Sequence, residues 1–168
     1  ITIPDSVASI GESAFYGTKW IEDHSDDFVI AGNGFLIKYK GDAEKVGIPD
    51  SVTSIGNRAF YGCKNLTAVT IPDSVTSIGL HAFKGCFKLT AIAIPDSVTS
   101  INWKAFEDCK NLTVITIGNS VTSIDYIAFS GLKKLTKVTI CNSVTSIGDD
   151  AYWGCENLTA INIPDSVT

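Results

Sequence analysis

Five cysteines and two histidines are the side chains of this 168-residue chain best suited to nucleophilic or metal chemistry. Their spacing decides whether they could perform it. Cys63, Cys86, Cys109 and Cys155 occupy one column of a repeating pattern, which holds Thr18 in its first copy and Leu132 in its sixth, while Cys141 falls in a different column. Threonine or leucine can replace a small buried filler, but neither replaces a metal ligand or half of a disulfide. The pattern therefore favours free buried thiols, although residues stacked one repeat apart fall within disulfide Cα range. No Cys-x-x-Cys or His-x-x-x-His spacing supports zinc. His81 shares its column with Ser13, Arg58, Lys104, Ile127 and Asp150, a variety expected of a solvent-facing position. A nucleophile pair of Cys86 and His81 would need an inward and an outward side chain to meet. Nothing resembles GxSxG, HExxH or a phosphate-binding loop. The chain is expected to be non-enzymatic, with no catalytic, cofactor-binding or metal-binding residues.

Three weaker signals also have simple structural readings. The loop with Glu22, Asp23, His24, Asp26 and Asp27 could attract a cation, yet a solvated charged loop has the same composition. Asp5, Asp50, Asp73, Asp96 and Asp165 form a column that also contains Asn119 and Asn142. A turn-forming hydrogen bond explains both residue types; a calcium ladder would not tolerate the lost charge and would need glycine-rich nonapeptides. Three Asn-Leu-Thr sequons, at Asn65, Asn111 and Asn157, recur because the repeat recurs.

Composition narrows the partners. With 45% hydrophobic and 18% charged residues the chain can form a core. A formal charge of -5 supplies no basic footprint for nucleic acid, and no apolar run approaches the roughly 18 residues of a membrane-spanning helix. No nucleic acid and no membrane insertion are expected. There is no methionine, and the sequence opens inside a repeat at "ITIPDSV" and closes inside another at "INIPDSVT". It is expected to be a single array of about seven coils over 1–168, cut from a longer protein, with an irregular second coil at 19–47.

The elements follow from the repeat. Ile48, Ile71, Ile94, Ile117, Ile140 and Ile163 recur at a strict interval of 23 residues, and periods in the twenties indicate solenoids whose units bury apolar faces only by stacking. In "LTAVTI" (66–71) the aliphatics predict a strand with Leu66, Val69 and Ile71 inward and Ala68 and Thr70 outward. All five prolines, Pro4, Pro49, Pro72, Pro95 and Pro164, occupy the next column and end the strand. "SVTSI" carries Val75 and Ile78 inward. The column of Gly11, Gly56, Gly79, Asn102, Asp125 and Gly148 suits either a positive φ or a helix N-cap. Ala82 and Phe83 then predict a short helical turn, closed by Gly85 in the manner of a C-cap, with Asp108 as the exception in that column. Phe15, Phe60, Phe83, Phe106, Phe129 and Tyr152 should stack into one aromatic file.

This combination, "CxxLTxIxIPDSVTSIGxxAFxGC", resembles the BspA-like leucine-rich repeats, also called the Treponema pallidum type, over every coil but the second. The resemblance implies a leucine-rich-repeat right-handed solenoid, α/β by class and β-rich by content. Its parallel β-sheet would have one strand per repeat on the concave side, with short helical turns and extended segments on the convex side. It also implies a secreted or cell-surface protein acting in adhesion or host contact, as is common for such proteins in bacteria of mouth and gut.

Between Ile3 and Ile48 lie 45 residues, one short of two periods, without an Ala-Phe turn. "DFVI" reads as a concave strand ending at Ile30, with "FLIKYK" a convex-side strand, or the two form a hairpin across Asn33-Gly34.

Two surfaces could bind a partner. The outward concave residues include Thr70, Ala93, Thr116, Lys137, Thr139 and Asn162, a small-residued face that lacks the aromatic and arginine residues typical of hot spots. The column of Glu12, Asn57, Leu80, Trp103, Tyr126 and Asp149 would stack Leu80, Trp103 and Tyr126 into an apolar strip on the convex side. Each has a bland reading: residues tolerated on an open sheet, and rings lying over their own neighbours. The expected function is a protein-binding or adhesion array for a protein or glycan ligand such as host matrix. The alternative is a structural spacer carrying a catalytic or wall-binding domain. Both ends lack polar caps, so the open faces are expected to associate end to end or to be covered in the parent protein.

Overall fold

The computed structural model describes residues 2–7, 10–11 and 13–168. A four-residue helix, α1 (Lys19–Glu22), precedes three strands, β1 (Phe28–Ala31), β2 (Phe35–Tyr39) and β3 (Lys45–Gly47). Thereafter two strand segments alternate at the repeat interval: β4 (Ser54–Ile55), β5 (Ala68–Thr70), β6 (Ser77–Ile78), β7 (Ala91–Ala93), β8 (Ser100–Ile101), β9 (Val114–Thr116), β10 (Ser123–Ile124), β11 (Lys137–Thr139), β12 (Ser146–Ile147) and β13 (Ala160–Asn162). The chain is a parallel β-solenoid of leucine-rich-repeat type, with almost no helix.

Each regular coil contributes to two ladders rather than one. The expected strands form a long-strand sheet, with β7, β9, β11 and β13 in one ladder and β3 with β5 in another. Between β5 and β7 the ladder is interrupted, although the Thr90 N–H still donates to the Thr67 carbonyl at 3.3 Å. The second ladder joins the two-residue Ser-Ile strands in register, Ser77 beside Ser100 and Ile78 beside Ile101. Its isoleucines Ile55, Ile78, Ile101 and Ile124 are fully buried, as are Val52, Val75, Val98, Val121 and Val144. Between the ladders, the Pro72 carbonyl accepts the Val75 N–H at 3.1 Å, so backbone closes this turn. In the same column Asp96 reaches sideways instead, its Oδ1 accepting the Asn119 N–H of the next coil at 2.8 Å.

The Ala-Phe segment is not helical. Its N–H groups alternate between two tasks. Ala82, Lys84 and Cys86 donate within the coil to Gly79, His81 and Phe83, whereas His81, Phe83 and Gly85 donate forward to the carbonyls of Trp103, Ala105 and Glu107. Through Phe the forward bonds run unbroken: Tyr39 to Ala59, Phe60 to Ala82, Phe83 to Ala105, Phe106 to Ala128 and Phe129 to Ala151, at 2.7–3.1 Å. The donors from His81 to Cys86 are thereby all satisfied without a helix. The geometry requires a left-handed residue at two places. One is the glycine column, with Gly85 at φ 75° and Asp108 standing in at 61°. The other is the variable column, where Arg58, His81, Lys104, Ile127 and Asp150 have φ of 54–59°.

Neither role expected for the Gly79 column holds. Gly79 is there because adjacent coils approach closely: a Cβ on it would come within 2.7 Å of Asn57 Oδ1 and 2.8 Å of its backbone nitrogen. Gly79 N–H donates to the Ile55 carbonyl at 2.8 Å. Where Asn102 replaces the glycine, its side-chain amide donates to the Ile78 carbonyl at 2.9 Å.

The aromatic file is present with a different first member. Phe60, Phe83, Phe106 and Phe129 are fully buried, with successive ring centroids 4.9, 5.2 and 5.6 Å apart, and Tyr152 follows at 5.4 Å. Phe15 does not join them; its ring meets Trp20 edge-on at 4.9 Å. Tyr39 takes the place below Phe60 at 5.1 Å, and Phe28 lies beyond it at the same distance.

The second coil is the hairpin. β1 pairs antiparallel with β2, so "DFVI" supplies no strand to the long-strand sheet, and β3 takes that place beside β5. β2 instead joins the Ser-Ile ladder, with Leu36 beside Ile55. The turn relies on Gly34 at φ 83°, where a Cβ would fall 2.4 Å from the Ser51 carbonyl. At the other end the core columns of Ile115 and Ile117, 1% and 4% exposed, terminate in Ile161 and Ile163 at 37% and 55%.

Candidate functional site

The strip of Leu80, Trp103 and Tyr126 starts each Ala-Phe segment, just beyond the Ser-Ile strands. Leu80 and Trp103 are half-buried and Tyr126 is 42% exposed; Glu12 of the same column lies outside the described residues. Trp103 and Tyr126 stack nearly parallel, centroids 6.5 Å apart and planes 16° from one another. Side-chain acceptors fix the backbones of Leu80 and Tyr126: Asn57 Oδ1 accepts the Leu80 N–H and Asp125 Oδ1 accepts the Tyr126 N–H, at 2.8 and 2.7 Å.

Beneath the strip lies a charged cluster. Trp103 is 5.3 Å from the ring of His81, and Lys104 Nζ sits 4.8 Å over the indole. Glu107 is clasped by Lys84 Nζ at 2.5 Å and Lys104 Nζ at 3.4 Å, with His81 Nε2 at 3.9 Å. Burial alone would raise the Glu107 carboxyl, but the hydrogen bonds and charges of Lys84 and Lys104 outweigh it and hold the group below its ordinary range. His81 itself is 7% exposed, which corrects the solvent-facing assignment. Its left-handed backbone turns the side chain under Trp103, so variety in this column reflects a shared φ rather than shared exposure.

On the long-strand sheet Thr70, Ala93, Thr116, Lys137, Thr139 and Asn162 are all exposed, as is Val114 at 42%. The neighbouring threonines Thr67, Thr90, Thr113 and Thr136 spend their hydroxyls on the scaffold, each donating to a carbonyl one coil earlier at 2.8–3.3 Å. What this sheet offers a partner is therefore small, flat and nearly uncharged.

Other exposed rings were not legible as a site. Tyr16, Tyr61 and Trp153 are 82%, 45% and 69% exposed and share one column with Lys84, Glu107 and Ser130. Large aromatics in a column otherwise filled by Lys84, Glu107 and Ser130 were the available signal. Between the first coil and the Ser-Ile sheet runs a groove of about 450 Å³, lined in part by Phe15, Tyr16, Phe35, Ile37, Arg58 and Tyr61.

The candidate nucleophiles do not form a catalytic pair. Cys86 Sγ donates to the Phe60 carbonyl at 3.2 Å, while His81 faces Trp103 and Glu107. The acidic loop is pinned from outside, since Lys40 Nζ donates to the carbonyls of Glu22 and His24 at 2.8 and 2.7 Å. Among the described residues no three or more His, Cys, Asp or Glu side chains converge as metal ligands would, and no helix is long and apolar enough to cross a membrane. The sequon asparagines use their amides internally: Asn65 donates to Asp42, Asn111 to the Phe87 carbonyl and Asn157 to the Lys133 carbonyl, at 2.6–2.8 Å.

Comparison with known proteins adds the following. The pattern of the BspA type leucine rich repeat region matches residues 1–25 and 33–159 in six copies. No curated protein matches the chain. Among solved structures, a leucine-rich repeat protein of Treponema pallidum is 33% identical with a TM-score of 0.80, covering 84% of this chain and 71% of its own. A leucine rich cell surface protein of Faecalibacterium prausnitzii is 34% identical with a TM-score of 0.74, over 79% of this chain and 36% of its own. A leucine-rich repeat protein of Eubacterium ventriosum shares the fold at 23% identity and a TM-score of 0.71, over 83% of this chain and 45% of its own.

Proposed function

The chain belongs to the BspA-type leucine-rich repeat family, whose repeats generally serve protein interaction and are generally non-catalytic, and on that premise we propose that it is the adhesive, partner-binding array of a secreted or cell-surface protein. Its ligand is a protein or glycan of the host matrix, met through the flank that carries Trp103 and Tyr126. The observation that carries this reading is the Trp103–Tyr126 stack, its centroids 6.5 Å apart, over a half-buried charged cluster with Tyr126 left 42% exposed. Trp and Tyr rings on a rigid scaffold are the residue types in which interface hot spots are enriched, and the Ala-Thr face of the long-strand sheet lacks them. The surface location is supported by resemblance, since one relative is itself a cell surface protein.

The test is a pull-down against arrays of matrix proteins and glycans, followed by affinity measurement on the partner retained. Truncating a hot-spot residue costs 2 kcal/mol or more, about 30-fold in affinity. Tyr126→Ala and Trp103→Ala should each weaken binding by that order, while Thr116→Ala and Thr139→Ala leave it unchanged. Equal binding by all four variants would remove the flank from consideration. An array that retains nothing would support the spacer reading instead.

A further inference from the structure

The cysteine column is not used by the interaction reading, and its stacking has a chemical consequence. Cys63, Cys86 and Cys109 lie on consecutive coils, all free thiols, with Cys86 and Cys109 fully buried and Cys63 half-buried. The forward bonds Phe60 to Ala82 and Gly62 to Lys84, at 2.7 and 2.9 Å, hold the coils of Cys63 and Cys86 in register immediately before these residues. Neighbouring strands held this way run about 4.8 Å apart, inside the roughly 4.4–6.8 Å Cα window of disulfides.

We propose that Cys63 and Cys86 form a reversible inter-coil disulfide, made by exchange with a small disulfide such as oxidised glutathione. The Cys63 thiolate attacks the small disulfide, forming a mixed disulfide and releasing one thiol. The Cys86 thiolate then attacks the Cys63 sulfur of that mixed disulfide and releases the second. Two protein thiols are oxidised and one small disulfide is reduced to two thiols, which take up, by way of solvent, the two protons that the cysteines gave up.

The order follows from access. Cys63 is the member of the file that solvent reaches, because the irregular second coil places no cysteine beneath it. Cys109 is sealed, Cys155 is cut off from it by Leu132, and Cys141 lies in the proline column with its Sγ 3.0 Å from the Gly118 carbonyl. Closing the bond releases the Cys86 donor from the Phe60 carbonyl, which keeps the Cys63 N–H at 3.2 Å, so no buried acceptor is orphaned. The neighbouring Cys86 thiol, together with burial, pushes the Cys63 pKa upward, so exchange is slow at neutral pH and quickens as pH rises.

The full chain should be incubated across reduced-to-oxidised glutathione ratios at pH 7 and pH 9, quenched with an alkylating agent and mapped by mass spectrometry without reduction. The expected product is a Cys63–Cys86 linked peptide with Cys109, Cys141 and Cys155 alkylated after denaturation, formed faster at pH 9 and reversed by dithiothreitol. Oxidation should also raise the Tm of the parent and of Cys109→Ser but not of Cys63→Ser. A dominant Cys86–Cys109 link, a mixed disulfide that persists at Cys63, or five free thiols at every ratio would each overturn the proposal. The parent's peptide map needs no variant to fold.

Discussion

Removing one ring from the aromatic file tests the architecture most directly. Phe83 is fully buried and lies 4.9 Å from Phe60 and 5.2 Å from Phe106. Phe83→Ala forfeits the transfer energy of the ring, leaves a cavity that hydrogen-bonded coils on both sides cannot collapse into, and breaks two ring contacts; about 3–5 kcal/mol is expected. Against the roughly 5–15 kcal/mol that holds a domain folded, this consumes a large share. Phe83→Leu keeps most of the volume and should cost less than about 1.5 kcal/mol. Phe15→Ala supplies the contrast, because Phe15 is half-buried and contacts Trp20 rather than the file; it should cost under about 2 kcal/mol. Equilibrium urea unfolding followed by circular dichroism gives all three differences. If Phe83→Ala costs less than about 1 kcal/mol, or no more than Phe15→Ala, the file is not what keeps the coils together.

Two further outcomes test local features. Ile127 holds φ 56° with a β-branched side chain, a conformation that costs an L-residue about 1–2 kcal/mol; Ile127→Asn should therefore raise the thermal midpoint by a few degrees, and a fall would show that its half-buried contacts outweigh the strain. Glu107 titrates lower in the folded chain than in the unfolded one, so its contribution is complete above the ordinary glutamate value of about 4.3 and is lost as pH falls through the folded value. The urea-midpoint gap between the parent and Glu107→Gln should shrink from pH 7 to pH 3; a constant gap would refute the Lys84–Glu107–Lys104 account.

Strand, proline stop and buried file were readable because each demand is repeated with near-identical residues, so chance substitutions stand out against the column. The Ser-Ile ladder was not, since two residues are too few to display an alternation. Left-handed backbone at His81, Lys104 and Ile127 left no compositional trace: none of the residues there is glycine, and the cross-coil bonds that His81 and Ile127 donate join groups 22 residues apart. Tyr39 reached the place of a phenylalanine through a hairpin that breaks the period, which hid it from any column count. Of the candidate site, Trp103 beside Tyr126 followed from register alone. The clasped Glu107 and buried His81 beneath them required the turn geometry, and the exposed Tyr16, Tyr61 and Trp153 required burial.

The forward hydrogen bonds of the Ala-Phe segments also give their flank of the array an electrical direction. Each peptide group in those rows, such as the one joining Ala82 to Phe83, accepts from the coil before and donates to the coil after, so their moments of about 3.5 D point the same way and add. That flank of the solenoid thus carries along the stacking axis the polarity that a helix carries along its own, positive toward later coils, whereas on the other faces Thr76, Gly79 and Thr90 donate to earlier coils and oppose it. Every repeat copied into such an array lengthens that row, and a charged molecule approaching along this flank would meet two unlike ends.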